Sequence, residues 1–279
     1  MSRATYDIGP FVKWAGGKKQ LLPQLKERMP ESYVRYFEPF IGGGALLLDV
    51  QPTNAIINDV NSQLLNVYRQ LKSDPEKVID ILKEMDRSTC DKGHYLSIRE
   101  IYNGKILNHE LDPECAALTI WVNKHCFNGL YRVNSKGLFN VPYNNRATGS
   151  SMNEQNLRDI GKYLREADVE IREGDFETAC IDAEEGDFVY FDSPYVPVST
   201  TANFTAYAKT GFRYEDHCRL AELCKHLSSK GVKVMLSNNN VDLIHKLYDG
   251  FRIEPVDVRR AINRDASKRT GEEVIIMNY

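Results

Sequence analysis

The chain has 279 residues and a formal net charge of −3, which suits one large domain with an insertion, or two domains, and does not by itself announce a polyanion partner. Its composition is that of an ordinary globular protein. The longest apolar runs fall far short of a membrane span and the N-terminus lacks a basic-then-apolar signal pattern, so no membrane association and a cytoplasmic address are expected. The six cysteines (Cys90, Cys115, Cys126, Cys180, Cys218 and Cys224) include no Cys-x-x-Cys pair. No metal site or disulfide framework is expected.

In chain order, Lys13-Trp14-Ala15-Gly16-Gly17-Lys18 places a tight turn ahead of a helical pattern through Leu21, Leu22 and Leu25. A turn feeding a helix start suits an anion or carboxylate, and Trp14 is either a ligand-lining ring or packing. Arg35 to Phe40 reads as a strand running into Gly42-Gly43-Gly44 and a helix. Glycines there let backbone approach a ligand. The dinucleotide fingerprint requires a further glycine where Leu47 stands, which disfavours a hydride-transfer cofactor. Ala55 to Asn58 reads as a second strand, and Asp59 after it stands where an acid takes a ribose hydroxyl pair. The unit suits a nucleoside-containing cofactor; the bland alternative is a scaffold of the same shape.

From Asn61 to about Leu164 the apolar spacing turns helical, through Leu64, Leu65, Tyr68 and Leu71, then Val78, Ile79 and Leu82, then Cys115, Leu118, Trp121 and Val122. This predicts a helical insertion between parts of an α/β sheet. Inside it, Tyr131 to Val133 and Leu138 to Val141 read as a short hairpin closed by Asn134-Ser135-Lys136-Gly137. No acid lies between Glu114 and Glu154, while Lys124, Arg132, Lys136 and Arg146 do. A second basic run holds Arg259, Arg260, Arg264, Lys268 and Arg269. Such zones on a mildly acidic chain fit a polyanion, the alternative being a solvated surface. Arg reads guanine edges, Asn reads adenine, and Leu or Phe can wedge between base steps.

The sheet pattern resumes at Val169 to Ile171, followed by Gly174-Asp175-Phe176, then Phe188 to Phe191. Val232 to Leu236 ends in Ser237 and three asparagines; Phe251 to Val258 and Val274 to Tyr279 close the chain, without an obvious helix between them and so candidates for antiparallel pairing. About seven strands with intervening helices predict an α/β sheet covered on both faces. Phe40, Asp59, Asp175-Phe176 and Asp192 follow strands, where open α/β sheets bind ligands. Asp192-Ser193-Pro194-Tyr195 ends the most apolar strand. An acid and a ring on a Pro-stiffened turn suit a flat base with an exocyclic amine, the acid accepting N–H and the ring stacking; the bland alternative is an ordinary strand-to-loop turn with a capping Asp.

The ordered set resembles the Dam-type DNA adenine-N6 methyltransferases of the alpha subgroup. Trp14 to Lys18 is similar to the family's N-terminal cofactor motif and Phe37 to Gly44 to its glycine motif. Phe127 to Tyr143 is similar to its target-recognition segment, Asp192 to Tyr195 to its catalytic motif, and Ala202 to Tyr207 to a stretch that follows it. The resemblance implies a Rossmann-like class I methyltransferase fold, with catalytic residues 1–62 and 165–279 and target recognition at 63–164. It implies S-adenosylmethionine as methyl donor and adenine in double-stranded DNA as acceptor, in 5′-GATC-3′. It places Trp14, Lys18, Phe40, Gly42, Gly44, Asp59, Asp175, Phe176 and Asp192 at the cofactor, Asp192, Ser193, Pro194 and Tyr195 at the reacting base, and Lys13, Phe127, Asn128, Leu130, Arg132, Asn134 and Arg146 at DNA. The expected state is a monomer without an obligate protein partner. The family usually has proline where Ser193 stands; serine keeps the backbone carbonyl and loses the φ lock. Two other readings are a DNA-binding protein with a degenerate turn, argued only from Ser193, and a protein glutamine methyltransferase, which would not need the acid-free insertion.

Overall fold

The computed structural model describes residues 5–14, 18, 20–147, 149–198, 212–259 and 270–279. Gly16-Gly17, the stretch Ala202 to Tyr207 and the basic run from Arg260 to Arg269 lie outside the described residues.

Seven strands form a mixed sheet: β1 (Tyr36–Glu38), β2 (Ala55–Asp59), β3 (Glu170–Glu173), β4 (Phe188–Phe191), β5 (Lys233–Asn239), β6 (Arg252–Arg259) and β7 (Thr270–Met277). Their order is β3-β2-β1-β4-β5-β7-β6. β1 runs parallel to β2 and β4, and β4 parallel to β5; β7 lies antiparallel between β5 and β6. The expected seven strands and the antiparallel final pair are present. β5 runs further than its apolar stretch, because Ser237, Asn238 and Asn239 pair with Ile275, Val274 and Glu273. Ladder bonds from β7 hold polar residues in a strand that local propensity would end at Leu236.

The helices are α1 (Leu22–Arg28), α2 (Ala45–Val50), α3 (Ser62–Ser73), α4 (Pro75–Met85), α5 (Lys92–Leu107), α6 (Pro113–His125), α7 (Glu154–Glu166), α8 (Phe176–Ala179), α9 (Tyr214–Ser229) and α10 (Asp242–Leu247). Among the described residues none is long and apolar enough to cross a membrane. The chain forms two compact units, one of residues 1–17, 42–52 and 59–173, the other of residues 18–41, 53–58 and 174–279.

The second unit is built on β1, β4 and β5. Phe188, Val189, Tyr190 and Phe191 are all 0 % exposed, as expected of a parallel strand covered on both faces. Each large ring buried there contributes about 2 kcal/mol of transfer free energy. The chain leaves β1 toward β2 on one side and returns as β4 on the other. The carboxyl ends of β1 and β4 therefore flank a topological switch point, the favoured ligand position in such sheets.

The first unit is mostly helical. Asn61, Asp91, Asp112 and Asn153 each cap a helix by accepting a backbone N–H of its first turn, which is where these residue types are most stabilising. α3, α4 and α5 pack on α6. Cys115 to Asn123 of α6 are buried on every face, so α6 is the unit's core helix rather than a surface one.

Candidate active site and nucleic-acid interface

β4 delivers Asp192 to the switch point. Its carboxylate Oδ1 lies 2.8 Å from the Lys18 ammonium, which comes in just ahead of α1. Lys18 is buried and Asp192 keeps 22 % of its side-chain surface exposed. Burial raises the Asp192 pKa above the usual carboxylate value; the Lys18 charge and hydrogen bond oppose that, and the Glu273 charge adds to it. For Lys18, burial disfavours the charged form, but Asp192 and Tyr195 together outweigh it and the ammonium titrates above its ordinary value. Lys18 also sits over the Tyr195 ring, 4.3 Å from its centroid. Three residues singled out in the sequence, Lys18, Asp192 and Tyr195, are thus brought together.

The turn that carries Asp192 and Tyr195 is held by residues whose role was not visible in the sequence. Asn238 Oδ1 accepts the Val196 N–H at 2.9 Å, and Asn239 Nδ2 donates to the Val196 carbonyl at 2.7 Å. The Tyr195 hydroxyl donates to Glu273 on β7 at 3.1 Å. Burial, with the Asp192 and Glu273 charges, holds the Tyr195 hydroxyl well above its ordinary pKa although Lys18 pulls the other way. It therefore remains a donor across the neutral range. Ser193 is 2 % exposed and its Oγ has no hydrogen-bond partner among the described residues. Pro194 is exposed.

Phe40, after β1, stacks on Phe176 with centroids 5.4 Å apart and an interplanar angle of 29°. Asp175 caps α8 through the Glu177 N–H at 2.9 Å. Its Oδ1 also accepts from Arg219 of α9 at 2.9 Å, and the same guanidinium lies 4.9 Å from the Phe176 ring centroid. Arg219 went unassigned in the sequence because only the fold brings α9 to α8.

In the first unit, Gly42 and Gly44 adopt left-handed backbone, with φ of 47° and 68°. A Cβ on Gly42 would come 2.8 Å from Trp14 Cδ1, so glycine is required for the close approach. Trp14 stacks on Tyr131 at 5.0 Å; its described contacts are packing. Asp59 accepts the Gly42 N–H at 3.1 Å and the Asn61 N–H at 3.0 Å. Burial raises the Asp59 pKa in spite of these bonds, which act the other way.

The predicted hairpin is present in reduced form. Val133 bridges Phe139, Asn134 N–H donates to the Leu138 carbonyl at 2.9 Å and Asn140 N–H to the Arg132 carbonyl at 3.1 Å. Asn134 Oδ1 accepts the Lys136 and Leu138 N–H groups, at 2.9 and 3.1 Å, and so holds its own turn. The return arm is read by one stripe of α5: Tyr95 and Arg99 donate to the Val141 carbonyl, and Asn103 bonds both backbone groups of Phe139. Residues at i, i+4 and i+8 face the same way on a helix. Asn123, at the end of α6, ties the entry arm: its amide bonds the N–H and carbonyl of Lys13 and the carbonyl of Gly129, all within 2.9–3.0 Å. Lys13, Phe127, Asn128, Leu130, Arg132, Asn134 and Arg146 are all exposed. Phe127 and Leu130 present 50 % and 40 % of their surface to solvent. The Arg132 Nε donates to Asn140 Oδ1 at 2.7 Å. Asn123 was missed in the sequence, where it forms part of no pattern; Asn140 lies within the predicted hairpin, but its bond to Arg132 was not read from it.

An α/β sheet whose switch point presents a carboxylate, a buried lysine and a ring in one cluster is suited to hold an amine-bearing planar group. Residues 14–262 match the family model of the D12 class N6 adenine-specific DNA methyltransferases. The chain is 44 % identical to a type II methyltransferase of Lactococcus lactis subsp. cremoris, over 98 % of this chain and 96 % of that one. It is 40 % identical to a type II methyltransferase of Methanocaldococcus jannaschii, over 98 % of this chain and 100 % of that one. It is 30 % identical to a DNA adenine methylase of Escherichia coli, over 96 % and 94 % respectively. The chain belongs to the D12 class of N6 adenine-specific DNA methyltransferases.

Proposed function

We propose that the protein uses S-adenosylmethionine to methylate N6 of an adenine rotated out of double-stranded DNA, within 5′-GATC-3′, acting as a monomer. The observation that carries the chemistry is the Lys18–Asp192–Tyr195 cluster at the end of β4. The donor set suits the cofactor. Asp59, fixed by two backbone N–H groups, has lone pairs left for ribose hydroxyls. Phe40, Phe176 and Asp175 offer ring faces and a carboxylate to an adenine, while Trp14, Lys18, Gly42, Gly44 and Asp192 complete the proposed cofactor contacts. When bound, S-adenosylmethionine supplies an electrophilic methyl group.

The chain's own work is on the base. Taking adenine out of the stack costs a few kcal/mol, and stacking on Tyr195 returns roughly 1–3 kcal/mol. Lys18 lies over one face of that ring, and the base is assigned to the other. The adenine amine is a weak nucleophile because its lone pair is delocalised into the ring. Two acceptors on its hydrogens, the Asp192 carboxylate and the Ser193 carbonyl, draw it toward tetrahedral geometry. With Lys18 fixed to Oδ1, Asp192 Oδ2 is the oxygen left for the amine. Pro194 limits the turn's freedom. Most of the rate gain comes from position and preorganised dipoles.

Arg132 and Asn134 are assigned to base reading, Phe127, Asn128 and Leu130 to the space the adenine vacates, and Lys13 and Arg146 to supporting DNA contacts. By role, residues 63–164 recognise the target and residues 1–62 and 165–279 bind cofactor and base. The test is tritiated S-adenosylmethionine with duplexes containing GATC, GTTC or N6-methylated GATC. Label is expected only in the first. Label in GTTC and not in GATC would overturn the target, and near-wild-type turnover by Asp192→Ala would overturn the site.

A further inference from the structure

Glu273 plays no part in the proposed methyl transfer, yet it is the carboxylate that meets the Tyr195 hydroxyl, at 3.1 Å. We propose that Glu273 is a positioning residue, which fixes the Tyr195 ring in the orientation that stacks on the extruded base. This rests on the reading of Tyr195 as the stacking residue.

The placement of Glu273 argues for it. β7 runs antiparallel to β5, and Glu273 pairs with Asn239 in that ladder. Asn239 holds the Val196 carbonyl, and its neighbour Asn238 holds the Val196 N–H. The paired rims of β5 and β7 thus grip the turn at three points: both backbone groups of Val196 and the phenol of Tyr195. The first two fix the main chain just past Tyr195. They do not act on its side-chain torsions, which the Glu273 bond restrains by anchoring the hydroxyl. Glu272, the preceding residue, is engaged elsewhere, since its backbone carbonyl and carboxylate accept from the backbone N–H and side-chain amide of Asn240. Alternation along a strand sends these two acids to opposite faces. A stacking platform needs its ring plane set before the base arrives, and a hydrogen bond from the far end of the ring to a strand sets it without covering either face. Lys18, over the ring, and Ser237 also meet the Tyr195 side chain, and Glu273 is the carboxylate to which the hydroxyl donates.

The test is steady-state methylation of a GATC duplex with Glu273→Ala, Glu273→Gln, Tyr195→Phe and the pair Tyr195→Phe/Glu273→Ala. Glu273→Ala is expected to lower kcat/KM for DNA roughly tenfold, the size of a lost charge-assisted hydrogen bond, with cofactor affinity unchanged. Tyr195→Phe deletes the same bond from the other side and is expected to lose about as much. Glu273→Gln keeps an acceptor oxygen and is expected to recover most of the loss. The double variant is expected to be no worse than either single one. 2-Aminopurine at the target position is expected to show altered emission in Glu273→Ala and not in Glu273→Gln. Losses that multiply in the double variant, a Gln variant as poor as Ala, or a Tyr195→Phe variant as active as wild type would each overturn the proposal. If the wild-type chain labels no duplex, it is the methyltransferase reading that has failed, and Glu273 is not at issue.

Discussion

Ser193→Ala is the sharpest perturbation of the turn proposed to hold the target amine. Ser193 is 2 % exposed and its hydroxyl has no partner among the described residues. A hydroxyl buried without a hydrogen bond forfeits its hydration for nothing, at a cost of about 1–3 kcal/mol. Alanine deletes only that oxygen. The small void it leaves gives back part of the gain through lost dispersion contacts, so the net expectation is stabilisation by about 1 kcal/mol. For a chain of this size that raises the thermal midpoint by roughly 2 °C. The backbone carbonyl proposed to accept from the adenine amine is untouched, so kcat should stay within about twofold of wild type, a change below about 0.5 kcal/mol. The assays are thermal unfolding and single-turnover methylation on one preparation. A lower midpoint would mean that the hydroxyl has a partner after all. A loss of turnover beyond about tenfold, about 1.4 kcal/mol in barrier, without a change in midpoint would mean that the hydroxyl itself touches substrate, and the role given to the carbonyl would fall.

Lys18→Gln should move the acid limb of the kcat profile to higher pH at saturating cofactor. Lys18 lowers the Asp192 pKa against burial and Glu273, both of which raise it, so removing the ammonium leaves the raising influences unopposed and the ionised carboxylate appears later; a limb that shifts downward would contradict the pairing. Arg132→Ala should cost about 1–3 kcal/mol of discrimination at a single base pair, measured by competition among singly substituted duplexes, whereas equal weakening on every sequence would identify Arg132 as a phosphate contact. Asn123→Ala removes three hydrogen bonds that tie Lys13 and Gly129 to the end of α6; it should destabilise the chain by about 2 kcal/mol and weaken DNA binding, as read by denaturant titration and duplex affinity, and unchanged stability would show that those bonds are replaced by water.

How much of this was legible depends on whether the information is local. β4 is a run of apolar residues closed by a proline turn, so both its burial and the position of Asp192 follow from the sequence. The glycine turn at Gly42 is local too, as are the four helix caps and the Asn134 turn. The pairing of Lys18 with Asp192 joins residues far apart along the chain and has no local signature. The same holds for Glu273 on Tyr195 and for the Asn238 and Asn239 bonds to Val196: Asn and Glu at a strand end read as solvated residues until the fold supplies their partners. Asn123 is the extreme case. It lies near the end of a helix whose apolar residues announce burial, but which backbone groups its amide meets depends on the Lys13 segment, distant in sequence, and on the turn that follows α6.

The two acids that bound β4 show how the fold distinguishes structure from function on a single strand. Asp187, at the amino end, is 0 % exposed and saturated: Arg35 donates to both of its oxygens from the guanidinium and to one from its backbone, and the Glu184 N–H takes the other. Replacing it would strip the half-buried Arg35 of its main partner, and the loss would be one of stability. Asp192, at the carboxyl end, has one ionic partner among the described residues, and keeps an exposed edge. A carboxylate has room for about four hydrogen bonds, and Asp187 has filled its own within the chain. The capacity that Asp192 has left among the described residues, at the end of the strand where such sheets bind ligands, is what the proposed site offers a substrate amine. Burial carries a free-energy penalty for holding that charge, and Lys18 offsets only part of it. A carboxylate with capacity to spare among the described residues, kept at that cost, is what the proposed role of Asp192 requires.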